Sequence, residues 1–401
     1  MTGISDKSFY NWVAIATLIP ILFYINYPGK TVAVSIMSNG LILYLLVKRY
    51  RIGKLTHLSS IIPLNCLFYV MLFGIAKSFF FPKTDDIEIK DLIISLFGIV
   101  PLFLALTIYN VKCIKRYFYS VLIFYSVTAV YSFFKWDDFL YYDVPHILLP
   151  ITLVLAMFPY TNKKCRIFII FLLLFGTFAD LSVRACLVIY VLSFIVLAGY
   201  VLFSNKIFNI LVRSVGILMF VSPIILFGLA ITNNYNFFKS IQNIKVQTSI
   251  GAKKKRDNVM LDTRTGVYID ALLSTKKYDE IILGQGTGAR IQALSFPKGT
   301  EAAIFGRKRV EVGILNAYIR YGLFGVLIVI LVFSMAFYNA AFKSKNVFMK
   351  FVASFIAIRY LSLFFETPEL SPDIYMAIGI SFSDKVRNMS DEVMKIVFRL
   401  L

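Results

Sequence analysis

The sequence is short of charged residues and of cysteine, and each shortage argues against a class of protein. Charged residues make up 16% and hydrophobic residues 59% of its 401 residues, whereas a soluble globular chain holds about 25% and about 45–50%. The cysteines have no metal-like spacing, so we expect free thiols: Cys66, Cys113, Cys165 and Cys186. The sequence has no internal repeat or low-complexity tract. The apolar remainder is typical of a polytopic membrane protein.

Apolar runs of membrane-crossing length dominate the chain. A helix needs roughly 20 apolar residues to span a bilayer, so these runs predict an all-α protein with about twelve transmembrane helices. They lie at about 10–27, 31–47, 57–81, 91–109, 117–134, 147–160, 167–183, 185–203, 214–232, 321–342, 347–365 and 372–384. The first run ends without a small-residue cleavage site, so we expect a retained span rather than a signal peptide.

The loops between these runs divide into two sets by charge. One set holds fourteen lysines and arginines and no acidic residue: 48–56, 110–117, 161–166, 204–213 and 343–346. The other set holds five basic and nine acidic residues: 28–31, 82–90, 135–146, 182–184 and 366–373. Because cytoplasmic loops are enriched in Lys and Arg, we expect the first set and both termini in the cytoplasm.

One long polar loop, about 233–320, separates nine spans in 1–232 from three spans and a cytoplasmic tail in 321–401. It falls on the outer side, yet residues 233–310 hold fourteen basic and six acidic residues. Long loops translocate largely regardless of charge, so the predicted topology stands. The basic excess indicates either a solvated loop near anionic headgroups or a site for an anionic, membrane-held substrate. We attribute the net charge of +20 to orientation and such a substrate rather than to nucleic acid.

Two arginines stand where such a substrate would be held. Arg184 lies between the seventh and eighth spans. It either snorkels or pairs with Asp180, or it grips phosphate oxygens with its planar guanidinium. Arg264 lies in the first turn of a predicted amphipathic helix that Asp262 or Thr263 caps. It is either a plain surface residue or a phosphate ligand assisted by the positive end of that helix.

A glycine-rich turn and a carboxylate follow in the same loop. The segment GQGTGAR, residues 284–290, ends at Arg290. No Lys-Ser or Lys-Thr follows and no strand–turn–helix context is evident, which excludes a P-loop. We interpret the segment as a tight turn that lets the backbone approach another group. Glu311 follows a basic run at the start of the helix of the tenth span, and is either an ion-pair partner or a general base.

Three further residues are candidates for lining an outer cavity. Arg320 and Arg359 lie near or within apolar helix, where a charge is costly and faces a cavity or a partner. For Arg359, Glu366 and Glu369 are the nearby acidic candidates. His146 stands at the outer end of the sixth span, but a lone histidine is weak evidence for a site.

Together these features resemble the O-antigen polymerase/ligase group of envelope enzymes. The resemblance covers roughly 165–330 and consists of an ordered set of short motifs: S-x-R at Ser182–Arg184, D-x-R at Asp262–Arg264, G-x-G at Gly284–Gly286 and G-x-x-G at Gly322–Gly325. Each motif is loose by itself. Their order in a basic, multi-span chain is what makes the resemblance specific.

The resemblance implies a GT-C-like glycosyltransferase of the bacterial inner membrane that works at the periplasmic face without a metal or other cofactor. Its donor would be the growing glycan on undecaprenyl diphosphate, and its acceptor a new lipid-linked repeat unit. A polysaccharide chain-length regulator would suit such a polymerase as a partner. Arg184 and Arg264 would hold the diphosphate and Arg290 would assist. Glu311 would be the base for the acceptor hydroxyl or an orienting group.

Three alternatives remain beside the polymerase. The ligases of this group, which transfer the polymer to lipid A-core, carry a histidine where this chain has Glu311, which favours the polymerase. A flippase for the same lipid would show broken spans, a charged path at the midplane and internal repeats. A non-enzymatic envelope scaffold would tolerate substitution of Arg184 and Arg264.

Overall fold

The computed structural model of this protein is predominantly helical. It describes residues 5–26, 31–55, 61–80, 89–108, 111–134, 143–179, 183–231, 248–250, 253–255, 263–277, 279–288, 291, 310, 312–366 and 371–398. Within these ranges a short antiparallel hairpin pairs Thr248–Ile250 (β1) with Lys253–Lys255 (β2). The predicted helical class is therefore confirmed for the part of the chain that the structure describes.

Sixteen α-helices lie in the described part of the chain. In chain order they are α1 (Asp6–Asn26), α2 (Thr31–Leu55), α3 (Ile62–Phe80), α4 (Ile89–Phe97), α5 (Val111–Phe134), α6 (Asp143–Leu148), α7 (Ile151–Val154), α8 (Lys163–Ala179), α9 (Arg184–Leu202), α10 (Asn205–Ile231), α11 (Thr263–Lys277), α12 (Gly313–Ala341), α13 (Val347–Ser362), α14 (Pro372–Phe382), α15 (Asp384–Arg387) and α16 (Asp391–Phe398). Two 3-10 helices, Val100–Leu106 and Leu155–Tyr160, follow α4 and α7.

Several of these helices have the properties of membrane spans. Among the residues described, five segments are long and apolar enough to cross a membrane: Ile62–Phe80, Val111–Phe134, Ala185–Leu202, Asn205–Ile225 and Gly313–Ala341. Large apolar side chains stand exposed on them, such as Tyr69 at 67% and Leu218 at 64%. Such faces suit lipid hydrocarbon rather than water. The protein is therefore membrane-embedded, while a total of twelve spans and a GT-C-like arrangement stay predictions.

Two of the predicted spans are broken rather than continuous α-helices. The fourth consists of α4 and the 3-10 helix Val100–Leu106, which has Pro101 in its first turn. The sixth consists of α6, α7 and the 3-10 helix Leu155–Tyr160, with Pro150 before α7 and Pro159 inside the 3-10 helix. Proline has no N–H and its ring clashes with the preceding turn, so a regular α-helix does not continue through it. The apolar runs alone did not predict these breaks.

The centre of the bundle is α13. All of its residues except Leu361 are buried, and it packs against α9, α10, α12 and α14. A helix that is apolar on every side is covered on every side. Its neighbour α14 is buried from Asp373 to Ser381. The two ends of α13 therefore mark the two ends of the bundle, and different loops lie at each of them.

The basic end of the bundle is the N-terminal end of α13. There the Tyr160 hydroxyl donates to the Asp391 carboxylate, which links the end of the 155–160 helix to α16. Lys350 and Arg213 both donate to the carbonyl oxygen of Ala341, at 2.7 and 3.1 Å. Parts of the three lysine- and arginine-rich loops near residues 161, 204 and 343 thus lie together.

The Glu366 end of the bundle is the C-terminal end of α13. The Gly313 N–H donates to the carbonyl oxygen of Glu366 at 2.8 Å, so α12 begins here. The Tyr268 hydroxyl donates to the carbonyl oxygen of Phe364 at 2.8 Å, which brings α11 to the same end. With a rise of about 1.5 Å per residue, the 16 residues of α13 separate the two ends by about 24 Å. The loops near residues 161, 204 and 343 thus lie at one end of the bundle, and the segments near 268, 313 and 366, which are predicted on the other side of the membrane, lie at the opposite end.

Candidate functional site

The kink in α12 is filled by the backbone of a neighbouring turn. Gly322 has a φ of 66° and a ψ of −166°, which interrupts the helix. The break frees the N–H groups of Leu323 and Phe324 from their helical partners. They donate instead to the carbonyl oxygens of Ile281 and Ile282, at 2.9 and 3.2 Å. The turn thus replaces two lost helical hydrogen bonds.

The same turn pairs with the carbonyl side of the break. The oxygens of Ile319 and Arg320, which Leu323 and Phe324 would bond in a regular helix, accept from the N–H groups of Gln285 and Gly286 at 2.7 and 3.0 Å. All four backbone groups that the kink releases are therefore paired. We call this contact between residues 281–286 and the kink of α12 the glycine junction.

A second helix, α3, contacts the 281–286 turn as well. Lys77 pairs with the Glu280 carboxylate and donates to the carbonyl oxygen of Gly284 at 2.6 Å. The Ser78 hydroxyl accepts from the Gly288 N–H at 3.0 Å. This is the close backbone approach that the glycine-rich segment predicts, and its target is the protein's own backbone. The G-x-G and G-x-x-G motifs are two halves of one contact.

The amphipathic helix predicted after Asp262 is present as α11 and packs against α12. On its apolar face Val267 and Ala271 are buried and Leu272 is partly buried. Thr275 donates to the hydroxyl of Tyr318 at 2.9 Å, so the polar side of α11 is also in contact with protein. Arg264 lies in the first turn of this helix, one turn before the residue that bonds Phe364.

A cluster of three ionisable side chains lies at the Glu366 end. The Cys186 sulfur is 3.4 Å from His146 Nδ1 and 3.9 Å from Glu366 Oε1, and Nδ1 is 3.5 Å from Oε1. Cys186 is fully buried, Glu366 is 14% exposed and His146 is 35% exposed. The cluster is therefore a partly covered polar site at one end of an apolar bundle.

The backbone around this cluster is held by hydrogen bonds. The Tyr190 hydroxyl, one turn after Cys186 in α9, donates to the carbonyl oxygen of Pro145 at 2.6 Å, which fixes α6 against α9. The Glu366 N–H donates to the carbonyl oxygen of Ser362 at 2.9 Å. Three elements that are distant in the sequence thus present their side chains to one point.

A buried ion pair lies near the cluster. Arg359 Nη2 is 3.7 Å from Asp373 Oδ2 and donates to the Ser371 hydroxyl at 3.2 Å, and both charged side chains are 3% exposed. The ion-pair partner is thus Asp373, whereas the expected Glu366 faces His146 and Glu369 is outside the described residues. Arg359 lies one turn before the end of α13, near the Glu366 end.

The structure places some of the predicted site residues and leaves others aside. Arg184 is the first residue of α9, two residues before Cys186, and Arg264 is the second residue of α11. Both helices begin at the Glu366 end. The structure does not describe the side chains of these two arginines. Arg290 and Glu311 lie outside the described residues. The Arg320 carbonyl belongs to the glycine junction.

No protein-family model matches this sequence. No curated protein matches it either.

Sequence reasoning missed the partners of His146. The cysteines have no metal-like spacing, so the sequence does not single out Cys186, and it suggests Glu366 only as a partner for Arg359. Cys186 and Glu366 are 180 positions apart. No local pattern links residues so far apart, so only the packing of α6, α9 and α13 brings the cluster together.

Proposed function

We propose that this protein is a glycosyltransferase of the O-antigen polymerase type, acting at the periplasmic face of a bacterial inner membrane. It transfers a growing glycan from undecaprenyl diphosphate to the non-reducing end of a new lipid-linked repeat unit. One observation carries the proposal. The helix starts that bear Arg184 and Arg264 and the start of α12, just after Glu311, lie at the same end of a membrane-embedded bundle, as a single site for a lipid diphosphate requires.

The proposed transfer breaks the bond between the anomeric carbon and the diphosphate oxygen. An acceptor hydroxyl oxygen forms the new glycosidic bond, its proton passes to Glu311, and the diphosphate leaves with the bonding electrons. Arg184 and Arg264, assisted by Arg290, stabilise the charge that develops on the leaving group. Guanidinium groups suit this role because they bind phosphate oxygens bidentately and keep their charge.

A flippase for the same lipid is the second candidate. Two observations favour it: the proline-broken fourth and sixth predicted spans, and the buried ion pair of Arg359 with Asp373. Discontinuous helices and intramembrane charges are features of transporters. However, Arg359 is only about 5 Å from the C-terminal end of α13 along its axis. The charge therefore belongs to one end of the bundle rather than to a path through its middle.

The deciding experiment is a lipopolysaccharide gel of a deletion strain, complemented with the wild type, Arg264→Ala, Glu311→Gln or Lys343→Ala. Lys343 is an exposed lysine at the basic end and is the matched control. We expect core carrying a single repeat unit in the deletion strain, and a ladder restored only by the wild type and Lys343→Ala.

Other outcomes identify the alternatives. Bare core with lipid-linked polymer accumulating in the periplasm would indicate a ligase. Bare core with single lipid-linked repeats retained on the cytoplasmic side would indicate a flippase. A ladder restored by Arg264→Ala and Glu311→Gln would refute the assigned roles of both residues.

A further inference from the structure

We propose that His146, Cys186 and Glu366 form a binding site for a zinc-class divalent cation. This inference goes beyond the proposed transfer reaction and does not depend on it. The three side chains come from α6, α9 and the turn after α13, and they offer one nitrogen, one sulfur and one oxygen atom within 4.8 Å of one another. Imidazole nitrogen, thiolate and carboxylate are the three kinds of ligand that zinc accepts.

The orientation of His146 distinguishes a metal site from a nucleophilic triad. In a triad, one imidazole nitrogen faces the nucleophile and the other faces the carboxylate. Here the Cys186 sulfur and the Glu366 oxygen both approach Nδ1, at 3.4 and 3.5 Å. One nitrogen cannot relay a proton between two groups on its own side. Three atoms that converge on a common point are instead the arrangement that a metal ion needs.

The spacing of the three atoms fits the size of the ion. Points separated by 3.4, 3.5 and 3.9 Å lie on a circle of radius about 2.1 Å, and zinc binds nitrogen, oxygen and sulfur at about 2.0–2.3 Å. Tetrahedral coordination at those bond lengths separates the ligands by about 3.4–3.6 Å. An ion at the centre therefore requires side-chain shifts of only a few tenths of an ångström.

Charge balance also favours a cation here. Glu366 Oε2 is buried and has no hydrogen-bond partner among the described residues, and a buried carboxylate oxygen without a partner is costly. A divalent ion bound to the Glu366 carboxylate, the Cys186 thiolate and a neutral His146 makes a cluster of zero net charge. Binding releases the thiol proton to solvent. The neighbouring Arg359 is already balanced by Asp373.

The described residues supply three protein ligands, which leave one position of a tetrahedral ion open. His146 is the most exposed of the three, at 35%, so solvent reaches the cluster at this side chain. Sites with three protein ligands and a water are typical of catalytic rather than structural zinc. We therefore expect the ion to accept water or another small ligand at that position rather than to hold the fold together.

Cobalt titration of the purified protein tests the site directly. The full chain, carrying an affinity tag without histidines, is purified in detergent, stripped with a chelator and titrated with Co²⁺. A cobalt–thiolate bond absorbs in the near ultraviolet. We expect this band to saturate at about one ion per chain and to disappear when zinc is added.

Matched variants assign the ligands. Cys186→Ser should abolish the band, and His146→Asn and Glu366→Gln should weaken cobalt binding at least about tenfold. Cys113→Ser changes a cysteine that is equally buried elsewhere in the bundle and should leave the band unchanged.

Two results would overturn the proposal: wild-type protein with no thiolate band at millimolar cobalt, or a band that survives Cys186→Ser. The wild-type titration needs no variant to fold. Because the readout is metal binding rather than the polysaccharide ladder, the metal site and the proposed polymerase can fail separately.

Discussion

Gly322→Ala should break the glycine junction and release the 281–286 turn from α12. Gly322 lies in a region of φ and ψ that is essentially restricted to glycine, so alanine there costs about 1–3 kcal/mol if the kink is kept. An added Cβ would also lie 2.1 Å from the carbonyl oxygen of Ile282. The variant therefore relaxes by straightening α12, which expels the turn.

The cost of losing the junction can be estimated from its hydrogen bonds. Four backbone hydrogen bonds join the turn to α12, and straightening α12 regains two helical ones. The net loss of two bonds, at about 0.5–1.5 kcal/mol each, is about 1–3 kcal/mol. A loss of 2 kcal/mol raises the population of the detached turn about 25-fold. Glu280, at the start of the turn, is a cleavage site for a glutamate-specific protease, so cleavage there should accelerate by that factor or more.

The control for this prediction is Gly40→Ala in α2. Among the described residues, a Cβ at Gly40 would meet the Phe97 ring at an ordinary 3.6 Å and nothing nearer. Alanine in a helix interior is about 0.5–1 kcal/mol more favourable than glycine, so we expect unchanged cleavage and an equal or higher melting temperature. If Gly322→Ala is cleaved after Glu280 no faster than Gly40→Ala, the junction does not hold the turn.

Further substitutions test other contacts. Lys77→Met removes the partner of Glu280 and should destabilise the junction by about 1–3 kcal/mol, seen as faster cleavage in the same protease assay; an unchanged rate would contradict the role of this ion pair. Arg359→Met leaves Asp373 buried without its ion-pair partner and should cost about 3–5 kcal/mol, measured as a lower melting temperature that Arg359→Met/Asp373→Asn largely restores. Tyr190→Phe should cost about 1 kcal/mol and weaken cobalt binding, since its hydroxyl fixes the segment that carries the cluster histidine; cobalt affinity equal to the wild type would show that this bond does not position the cluster.

The glycine motifs show what a local sequence pattern predicts and what it does not. Glycines at 284 and 286 predict a tight turn with a close backbone approach, because they alone accept positive φ without strain, and both have it in the structure. The pattern does not name the partner of that approach. Nothing in the G-x-x-G motif predicts that Gly322 has a positive φ, since its position in an apolar helix is also typical of a small residue at a helix contact.

The buried charges show a second limit. The presence of Arg359 in an apolar segment predicts a nearby carboxylate, because an isolated charge there is costly. Three acidic residues, Glu366, Glu369 and Asp373, follow within the next fourteen positions. Which of them pairs with Arg359 depends on how α14 packs beside α13.

The sequence by itself determined that this protein is helical and membrane-embedded and that its loops divide into two sets by charge. These properties follow from the composition and from the length of the apolar runs, because the cost of placing a side chain in the bilayer depends mainly on that side chain itself. Tertiary structure alone decided that the glycine motifs pair with each other and that His146, Cys186 and Glu366 meet. Cys186 lies 40 positions from His146 and 180 from Glu366, and contacts over such separations are set by the packing of helices, which no local pattern encodes.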